Sequence, residues 1–151
     1  MIDQAAPDIT LPATGDQTIR LADLHGKTVV LYFYPKDNTP GCTTETRDFG
    51  VLHPKFAEAG CVVLGVSRDS LKSHEHFKAK LDVPFDLLSD ADEVACQAFD
   101  VIKMKNMYGK QVRGIERSTF VIDREGVVRR EWRKVKVNTH AEEVLNFVQS
   151  L

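Results

Sequence analysis

Residues 28–67 read TVVLYFYPKDNTPGCTTETRDFGVLHPKFAEAGCVVLGVS. They open on TVVLYFY and close on CVVLGVS, two runs of β-branched and aromatic residues typical of strands buried on both faces of a parallel sheet. The segment between them, residues 40–59, has the length of a helix, with Phe49 and Phe56 on one face. Pro54 is expected to kink this helix or to end its regular hydrogen bonding nearby. The order predicts a right-handed β-α-β unit with parallel strands.

The rest of the chain continues this alternation. LPATGDQTIRL predicts two short extended pieces around a turn, LKSHEHFKAKL (71–81) a second helix, FDLLSD a third strand, and ADEVACQAF a short helix opened by Asp90. RSTFVIDREGVVRREWR predicts a hairpin that turns at residues 124–126, and HAEEVLNFVQSL a closing amphipathic helix. Together these units predict one α/β domain over residues 1–151, with a central mixed β-sheet flanked by helices on both faces.

Composition and charge narrow the classes of function. Of the 151 residues, 42% are hydrophobic and 28% charged, as in an ordinary globular protein. A balance of 20 basic against 22 acidic residues does not suggest a nucleic-acid partner, and the basic run RREWRKVK is typical of a solvated strand face. No apolar run is long enough for a membrane span, and MIDQAAPDIT lacks the features of a signal peptide.

The cysteine count and the surface pattern predict location and assembly. Three cysteines, an odd number, argue against a secreted disulfide framework and predict a protein of the reducing cytoplasm. No exposed apolar stripe is visible in the sequence, so a monomer is predicted.

Cys42 follows the first predicted strand, and open α/β sheets gather catalytic groups at the carboxyl ends of their strands. Thr39 is a favoured helix N-cap and Pro40 a favoured first helical residue. Gly41 and Cys42 then fall in the first turn, where unpaired N–H groups and the positive end of the helix dipole stabilise a thiolate. The pattern predicts an activated sulfur nucleophile at Cys42.

Other cysteine chemistries do not fit these residues. A dithiol redox motif needs Cys-x-x-Cys, but Cys42 is followed by Thr-Thr-Glu. A structural zinc site needs about four ligands, typically in close pairs. Cys42, Cys61 and Cys96 are isolated, and His74 and His76 are expected on different sides of a helix. No metal site is therefore predicted. A single activated thiol suits attack on an electrophile such as a peroxide O–O bond.

The motif Pro35-x-x-x-Thr39-x-x-Cys42 resembles the active-site motif of the peroxiredoxins. Together with YPKDNTPGCTTE, the segments GVSRDS, HEHF, LLSD, MYGK and GIERSTFVID resemble one branch of that family, the bacterioferritin comigratory protein or peroxiredoxin Q group. The similarity runs from Ala6 to Leu151. It implies a thioredoxin-like fold and thiol-dependent reduction of hydrogen peroxide and organic hydroperoxides, without a metal, flavin or haem.

The resemblance also implies a role for each matching residue. Cys42 would be the peroxidatic cysteine, which becomes a sulfenic acid. The Thr39 hydroxyl would orient the peroxide, and Pro35 would shield the thiolate from water. Arg117 would reach the sulfur and the peroxide oxygens, and Glu45 would hold that arginine. Thioredoxin, glutaredoxin or a small thiol would return the sulfur to its reduced state.

Many members of this group carry a resolving cysteine on the same helix, where this chain has Arg47, and others carry one in the following helix, which has none here. Cys61 lies 19 positions after Cys42. That spacing is about 28 Å along a helix, against the roughly 7 Å that a disulfide allows between Cα atoms.

Cys96 is expected to point away from the apolar face of its helix. That face is predicted to comprise Ala91, Val94, Ala95 and Ala98. The strand before this helix should lie about 10 Å from the first strand, so a disulfide between Cys42 and Cys96 would require local unfolding. A 1-Cys mechanism with an external thiol as resolver is therefore predicted, and a resolving Cys96 is the alternative.

Two further functions are compatible with the same residues. One is a non-enzymatic peroxide sensor that passes oxidation to a partner protein, and the other is a thioredoxin-like binding module with a vestigial site. Steady-state turnover with a thiol would exclude the sensor, and a rapid reaction with peroxide would exclude the module.

The remaining candidate residues have structural interpretations. Surface or helix-face positions are predicted for His53, His74 and His76. A loop that could wall the active site, contact a reductant or be solvated is predicted for Met104, Met107 and Tyr108. Cys61 is expected in the core.

Overall fold

The structure, a computed structural model that describes residues 1–151, follows the predicted alternation of strands and helices. Its strands are β1 (Thr10–Ala13), β2 (Gln17–Arg20), β3 (Thr28–Phe33), β4 (Cys61–Ser67), β5 (Asp86–Ser89), β6 (Ile102–Met107), β7 (Lys110–Ile115), β8 (Ser118–Ile122) and β9 (Val128–Trp132). Its α-helices are α1 (Pro40–Glu58), α2 (Leu71–Leu81), α3 (Val94–Ala98) and α4 (His140–Ser150). A 3₁₀ turn covers Leu21–Leu24.

Seven strands form one mixed sheet in the order β2-β1-β5-β4-β3-β8-β9. Strands β3, β4 and β5 are parallel, as the predicted β-α-β connections require. Strand β8 runs antiparallel along the other edge of β3. Because β3 is covered on both faces and paired at both edges, its sequence is apolar without alternation.

Two separate apolar layers cover the faces of β3. Val30 and Tyr32 belong to a layer that includes residues of α1, α2 and α4. Leu31 and Phe33 belong to a layer on the opposite face that includes α3 and the N-terminal strands. Side chains of a strand alternate between faces, so neighbours in sequence enter different layers. The prediction of helices on both faces is confirmed.

Helix boundaries agree with the sequence pattern. Helix α1, predicted over residues 40–59, spans Pro40–Glu58, and α2 has the predicted bounds. Helix α1 continues past Pro54 and ends at Glu58. Because proline has no backbone N–H, Pro54 itself donates no hydrogen bond to the preceding turn. None of the helices has both the length and the apolar character that crossing a bilayer demands.

The segment that contains Met104, Met107 and Tyr108 is a hairpin of β6 and β7, so the prediction of a loop is wrong. The two strands pair with each other and lie outside the main sheet. The hairpin also exposes Met104, Met107, Val112 and Tyr108, the last at 100%. These exposed apolar side chains contradict the argument from surface pattern for a monomer, and the oligomeric state stays a prediction.

Replacing Gly65 with alanine is expected to destabilise the protein. Gly65 lies in β4 opposite Tyr32 of β3. A Cβ there would lie 2.7 Å from Tyr32 Cζ and 2.9 Å from Leu87 Cδ2. Tyr32 cannot easily yield, because its hydroxyl is hydrogen-bonded to Thr46 Oγ1 at 2.9 Å in the core. Overpacking of this kind costs about 1–3 kcal/mol, and a lower urea midpoint at unchanged m-value would measure it.

Gly114→Ala in β7 is the matched control for this prediction. A Cβ at that position would lie 3.7 Å from Arg68 Nη2, which is ordinary contact. We expect its urea midpoint to equal or slightly exceed that of the wild type, because alanine loses less backbone entropy than glycine on folding. Equal midpoints for the two variants would contradict the steric argument at Gly65.

Candidate active site

The site is built on the loop that follows β3 and on the first turn of α1. The first backbone hydrogen bond of this helix runs from Thr43 N to Thr39 O at 2.9 Å. The N–H groups of Gly41 and Cys42 therefore precede the hydrogen-bonded ladder and lie at the positive end of the helix dipole. Cys42 itself is 0% exposed. It occupies the helix-terminal position that the sequence predicts.

Arg117 brings a full positive charge to the sulfur. Its Nη2 donates to Cys42 Sγ at 3.2 Å. The sheet register explains this contact: Ser118 pairs with Phe33 at the end of β3, so the residue before Ser118 reaches the loop that follows β3. A guanidinium at this distance favours the thiolate over the thiol. The predicted proximity of Arg117 and Cys42 is present in the structure.

Glu45 lies on the same buried side of α1 as Cys42, one turn further along. Its Oε1 accepts from Arg117 Nη1 at 2.6 Å. Complete burial raises the pKa of Glu45 to about 7, although the charge of Arg117 and the hydrogen bond from it oppose the shift. The other oxygen, Oε2, is buried without a hydrogen-bond partner. Glu45 thus orients the guanidinium of Arg117, and burying the two charged groups costs desolvation free energy.

Thr39 is the N-cap residue of α1, as predicted, but its hydroxyl does not cap the helix. Its Oγ1 donates instead to Lys36 O at 2.8 Å, because the turn between Lys36 and Thr39 brings that carbonyl within reach. Pro35 and Thr39 are both half-buried. Gly41 has a steric role, since a Cβ there would lie 3.2 Å from Arg117 Nη2. A glycine therefore lets the guanidinium lie against the first turn.

Lys105 of β6 is a second basic group near the sulfur, and the sequence analysis missed it. Burial and the charge of Arg117 lower the pKa of Lys105, and the charge of Cys42 acts in the opposite direction. Its place in the structure depends on the β6–β7 hairpin, which the sequence analysis interpreted as a loop.

His74 is fully buried, so the prediction of a surface or helix-face position is wrong for this histidine. It contacts Asp37, a residue of the loop between Pro35 and Thr39 that the sequence analysis did not single out. A signal was present, because His74 and the buried Phe77 are three positions apart on α2 and share its inward face. His76, on the same helix, is exposed.

Cys96 is 0% exposed, whereas Val94 is 55% exposed, so the predicted apolar face of this helix is wrong. Helix α3 has only five residues, too few for periodicity to identify its inward side. The prediction that Asp90 opens the helix is wrong, because α3 begins at Val94 and its N-cap is Glu93. The Asp90 carboxylate nevertheless accepts from the backbone nitrogens of Ala95 and Cys96 at 3.2 and 2.7 Å. Burial and the neighbouring Asp90 raise the pKa of the Cys96 thiol.

All three cysteines are free thiols, and they occupy different parts of the core. Cys96 lies in the apolar layer on the opposite face of the sheet from Cys42. Cys61 shares the layer of Cys42 but begins β4, at the far end of α1. Burial raises the pKa of Cys61 to about 12, as suits the predicted core residue. Of the three thiols, Cys42 is the one that the guanidinium of Arg117 contacts.

Comparisons with known proteins support this description of the fold. A profile of the AhpC/TSA family matches residues 2–131. The chain is 58% identical over 138 residues to peroxiredoxin Bcp of Xanthomonas campestris, covering 91% of this chain and 86% of that protein. It is 51% identical over 150 residues to peroxiredoxin Bcp of Bacillus subtilis, covering 99% and 96%.

Solved structures agree over nearly the whole chain. The bacterioferritin comigratory protein of Xanthomonas campestris superposes with a TM-score of 0.90 at 55% identity, covering 94% of this chain and 90% of that one. A cysteine-to-serine variant of PrxQ from Xylella fastidiosa superposes with a TM-score of 0.92 at 46% identity, covering 99% and 98%.

Proposed function

The chain belongs to the AhpC/TSA family, and we propose that Cys42 is the residue with which it reduces hydroperoxides. It has the thioredoxin-like fold of the peroxiredoxins and is a thiol-dependent peroxidase. The observation that carries the assignment to Cys42 is its contact with Arg117, whose second nitrogen is bound to the buried Glu45. No cationic side chain is hydrogen-bonded to the sulfur of Cys61 or Cys96, and burial raises the pKa of both thiols.

In the proposed step, the Cys42 thiolate attacks the terminal oxygen of the hydroperoxide. The S–O bond forms as the O–O bond breaks, and the sulfur becomes a sulfenic acid. The departing alkoxide or hydroxide takes up a proton and leaves as alcohol or water. The sulfur is oxidised by two electrons and the peroxide is reduced by two. Alkyl peroxide reduction by the Xanthomonas campestris bacterioferritin comigratory protein supports organic hydroperoxides as substrates beside hydrogen peroxide.

The neighbours of Cys42 have distinct roles in this proposal. Arg117 stabilises both the thiolate and the negative charge that develops on the breaking O–O bond. The Thr39 hydroxyl, held by Lys36 O, orients the peroxide, and Pro35 shields the sulfur from water. Pro40 begins the helix that presents its N–H groups to the site, and Gly41 admits the guanidinium. Glu45 fixes that guanidinium.

We propose a 1-Cys mechanism, in which an external thiol reduces the sulfenic acid. The placement of Cys96 supports it, because the central sheet separates Cys96 from Cys42. A disulfide allows about 7 Å between Cα atoms, so these two residues could bond only after α3 or the first turn of α1 left its place. Cys61 lies at the opposite end of the 19-residue helix α1 from Cys42. A helix of that length spans about 28 Å, which is too far for a disulfide.

Intact-mass analysis after one equivalent of peroxide, without reductant, tests this mechanism. We expect a gain of one oxygen atom, with dimedone trapping the sulfenic acid at Cys42, because no other thiol of the chain reaches the sulfur. A loss of two hydrogens together with a cross-linked Cys42–Cys96 peptide would instead establish Cys96 as the resolving residue. The Cys96→Ser variant is the control, and it should show the same gain of oxygen.

The reductant and the setting complete the proposal. Thioredoxin, glutaredoxin or a small thiol would regenerate Cys42, and the three free thiols suit the reducing cytoplasm. A monomer is proposed as the working state. The vestigial binding module is set aside, since the protein is a peroxidase. Sustained peroxide turnover with excess thiol distinguishes the enzyme from a sensor, which would react once and stop without its partner.

A further inference from the structure

Asp37 is the buried anchor of the loop that carries Pro35 and Thr39. Its neighbours Lys36 and Asn38 are exposed, and Asn38 has a left-handed backbone with φ of 64°. The Asp37 carboxylate, in contrast, is enclosed by hydrogen bonds from three side chains. Oδ1 accepts from the Tyr34 hydroxyl at 2.7 Å, and Oδ2 accepts from Ser73 Oγ at 2.8 Å and from His74 Nδ1 at 2.7 Å.

His74 connects this carboxylate to the sheet. While Nδ1 faces Asp37, Nε2 lies 2.9 Å from Leu88 O in β5. A carbonyl can only accept, so Nε2 donates to Leu88 O, and Nδ1 is the ring nitrogen that faces the carboxylate. Burial raises the pKa of Asp37, but the hydrogen bonds from His74 and Tyr34 outweigh it, and the net direction is downward. The Asp37 carboxylate is therefore held in the core by these hydrogen bonds.

The network extends to the carboxyl end of β4. The Asp37 backbone N–H donates to Asp69 Oδ2 at 2.9 Å, and Ser67 Oγ donates to the same oxygen. The active-site loop is thus tied to the ends of β4 and β5 and to the first turns of α2. Such a tie fixes the path of the chain between β3 and α1, and with it the position of the helix terminus that holds Cys42.

The ligating atoms of Asp37, Asp69 and His74 lie within 4.8 Å of one another, as a metal site would require. Both ring nitrogens of His74 and both carboxylate oxygens of Asp37 are, however, already engaged in short hydrogen bonds with protein groups. The atoms that would bind a cation are therefore used to hold the loop. The cluster is a structural network around the active site.

We propose that Asp37 and His74 are positioning residues for peroxide reduction, which hold the Pro35–Thr39 loop and the first turn of α1 in the geometry that Cys42 needs. This inference rests on the proposed function of Cys42. Neither residue is among those implied by the active-site motif. A misplacement of about 1 Å at a reacting centre costs on the order of 10²-fold in rate.

Two substitutions of His74 separate positioning from general stability. The asparagine amide nitrogen is as many bonds from Cα as Nδ1, and the glutamine nitrogen is as many bonds away as Nε2. His74→Asn therefore keeps a donor to Asp37 and loses the contact with Leu88 O, whereas His74→Gln keeps the latter and loses the former. Each variant removes one buried hydrogen bond of His74, so their losses of thermal stability should be similar.

Stopped-flow measurement of Cys42 oxidation by hydrogen peroxide, at a temperature where every variant is folded, gives the deciding comparison. We expect His74→Gln and Asp37→Ala to slow the second-order rate by about 10- to 100-fold, and His74→Asn to stay within about threefold of the wild type. Ser73→Ala removes one side-chain hydrogen bond to Asp37, and its oxidation rate should lie between those of His74→Asn and His74→Gln. His76→Gln, on the same helix but exposed, is the matched control and should react at the wild-type rate.

The proposal is overturned if His74→Asn and His74→Gln slow oxidation equally, or if neither His74→Gln nor Asp37→Ala slows it. Such a result would leave the assignment of Cys42 intact, because that assignment fails only if peroxide reacts elsewhere. Dimedone labelling of each variant keeps the two apart, since it reports which cysteine is oxidised.

Discussion

Cys42→Ser is expected to abolish peroxide consumption, the largest single effect in this protein. A serine hydroxyl stays protonated at neutral pH, so the helix terminus and Arg117 have no anion to stabilise. Hydrogen peroxide consumption with excess dithiothreitol, measured in steady state, should fall to the rate of the buffer and thiol alone. Single-turnover experiments should show no sulfenic acid that dimedone can trap.

Cys61→Ser and Cys96→Ser are the matched controls for this loss. Both residues are buried cysteines, like Cys42, so each substitution also places a hydroxyl in the core. An unsatisfied buried hydroxyl costs about 1–3 kcal/mol of stability, and both proteins should still oxidise Cys42 at nearly the wild-type rate. Wild-type consumption by Cys42→Ser, or loss of the first oxidation step in Cys61→Ser, would show that the nucleophile is misassigned.

The second largest effect is expected for Arg117→Ala. The substitution removes the hydrogen bond to Cys42 Sγ and the charge that favours the thiolate. Loss of one such donor to a developing charge costs about 10²–10³-fold in rate, so oxidation of Cys42 by hydrogen peroxide should slow by that factor. The rate at which Cys42 is alkylated should fall as well.

Removing the arginine also leaves Glu45 buried without its partner, which costs about 3–5 kcal/mol when a buried pair is broken. The double variant Glu45→Gln, Arg117→Ala replaces that carboxylate by a neutral amide and should regain stability while remaining slow. Arg117→Lys keeps a charge but cannot bridge Glu45 and Cys42 with two nitrogens, so an intermediate rate is expected.

Arg47→Ala, an exposed arginine on α1, is the control for net charge and should oxidise at the wild-type rate. If Cys42 is oxidised and alkylated as fast in Arg117→Ala as in this control, then Arg117 has no part in the chemistry. Recovery of the rate together with stability in the double variant would show that the defect of Arg117→Ala was one of folding.

Local patterns predicted most of the secondary structure. The strands of the β-α-β unit and the whole of α2 were predictable, because each signal lies within a few residues of the element it describes. A continuous apolar run indicates a strand covered on both faces, and Thr39 followed by Pro40 indicates a helix start. The position of Cys42 in a first helical turn follows from these signals alone.

Three of the failed predictions have different physical reasons. Helix α3 is too short for its inward side to be deduced, so Cys96 was placed on the wrong face. The β6–β7 hairpin pairs only with itself, and its strands mix polar and exposed apolar side chains in a pattern that resembles a loop. His74 is a polar residue in the core, which is common only when a specific partner exists, and that partner lies 37 positions away.

The sequence by itself determined the class of fold and the position of Cys42 in the first turn of a helix, since these depend on residues adjacent in the chain. The sheet register decided the rest. It placed Ser118 opposite Phe33, and so brought Arg117 to a sulfur 75 positions away. It also placed Cys96 on the opposite face of the sheet from Cys42, and it brought Leu88 O of β5 to the ring of His74. Contacts of this kind depend on which strands become neighbours, and the free energy that selects those neighbours comes from burial of the whole core.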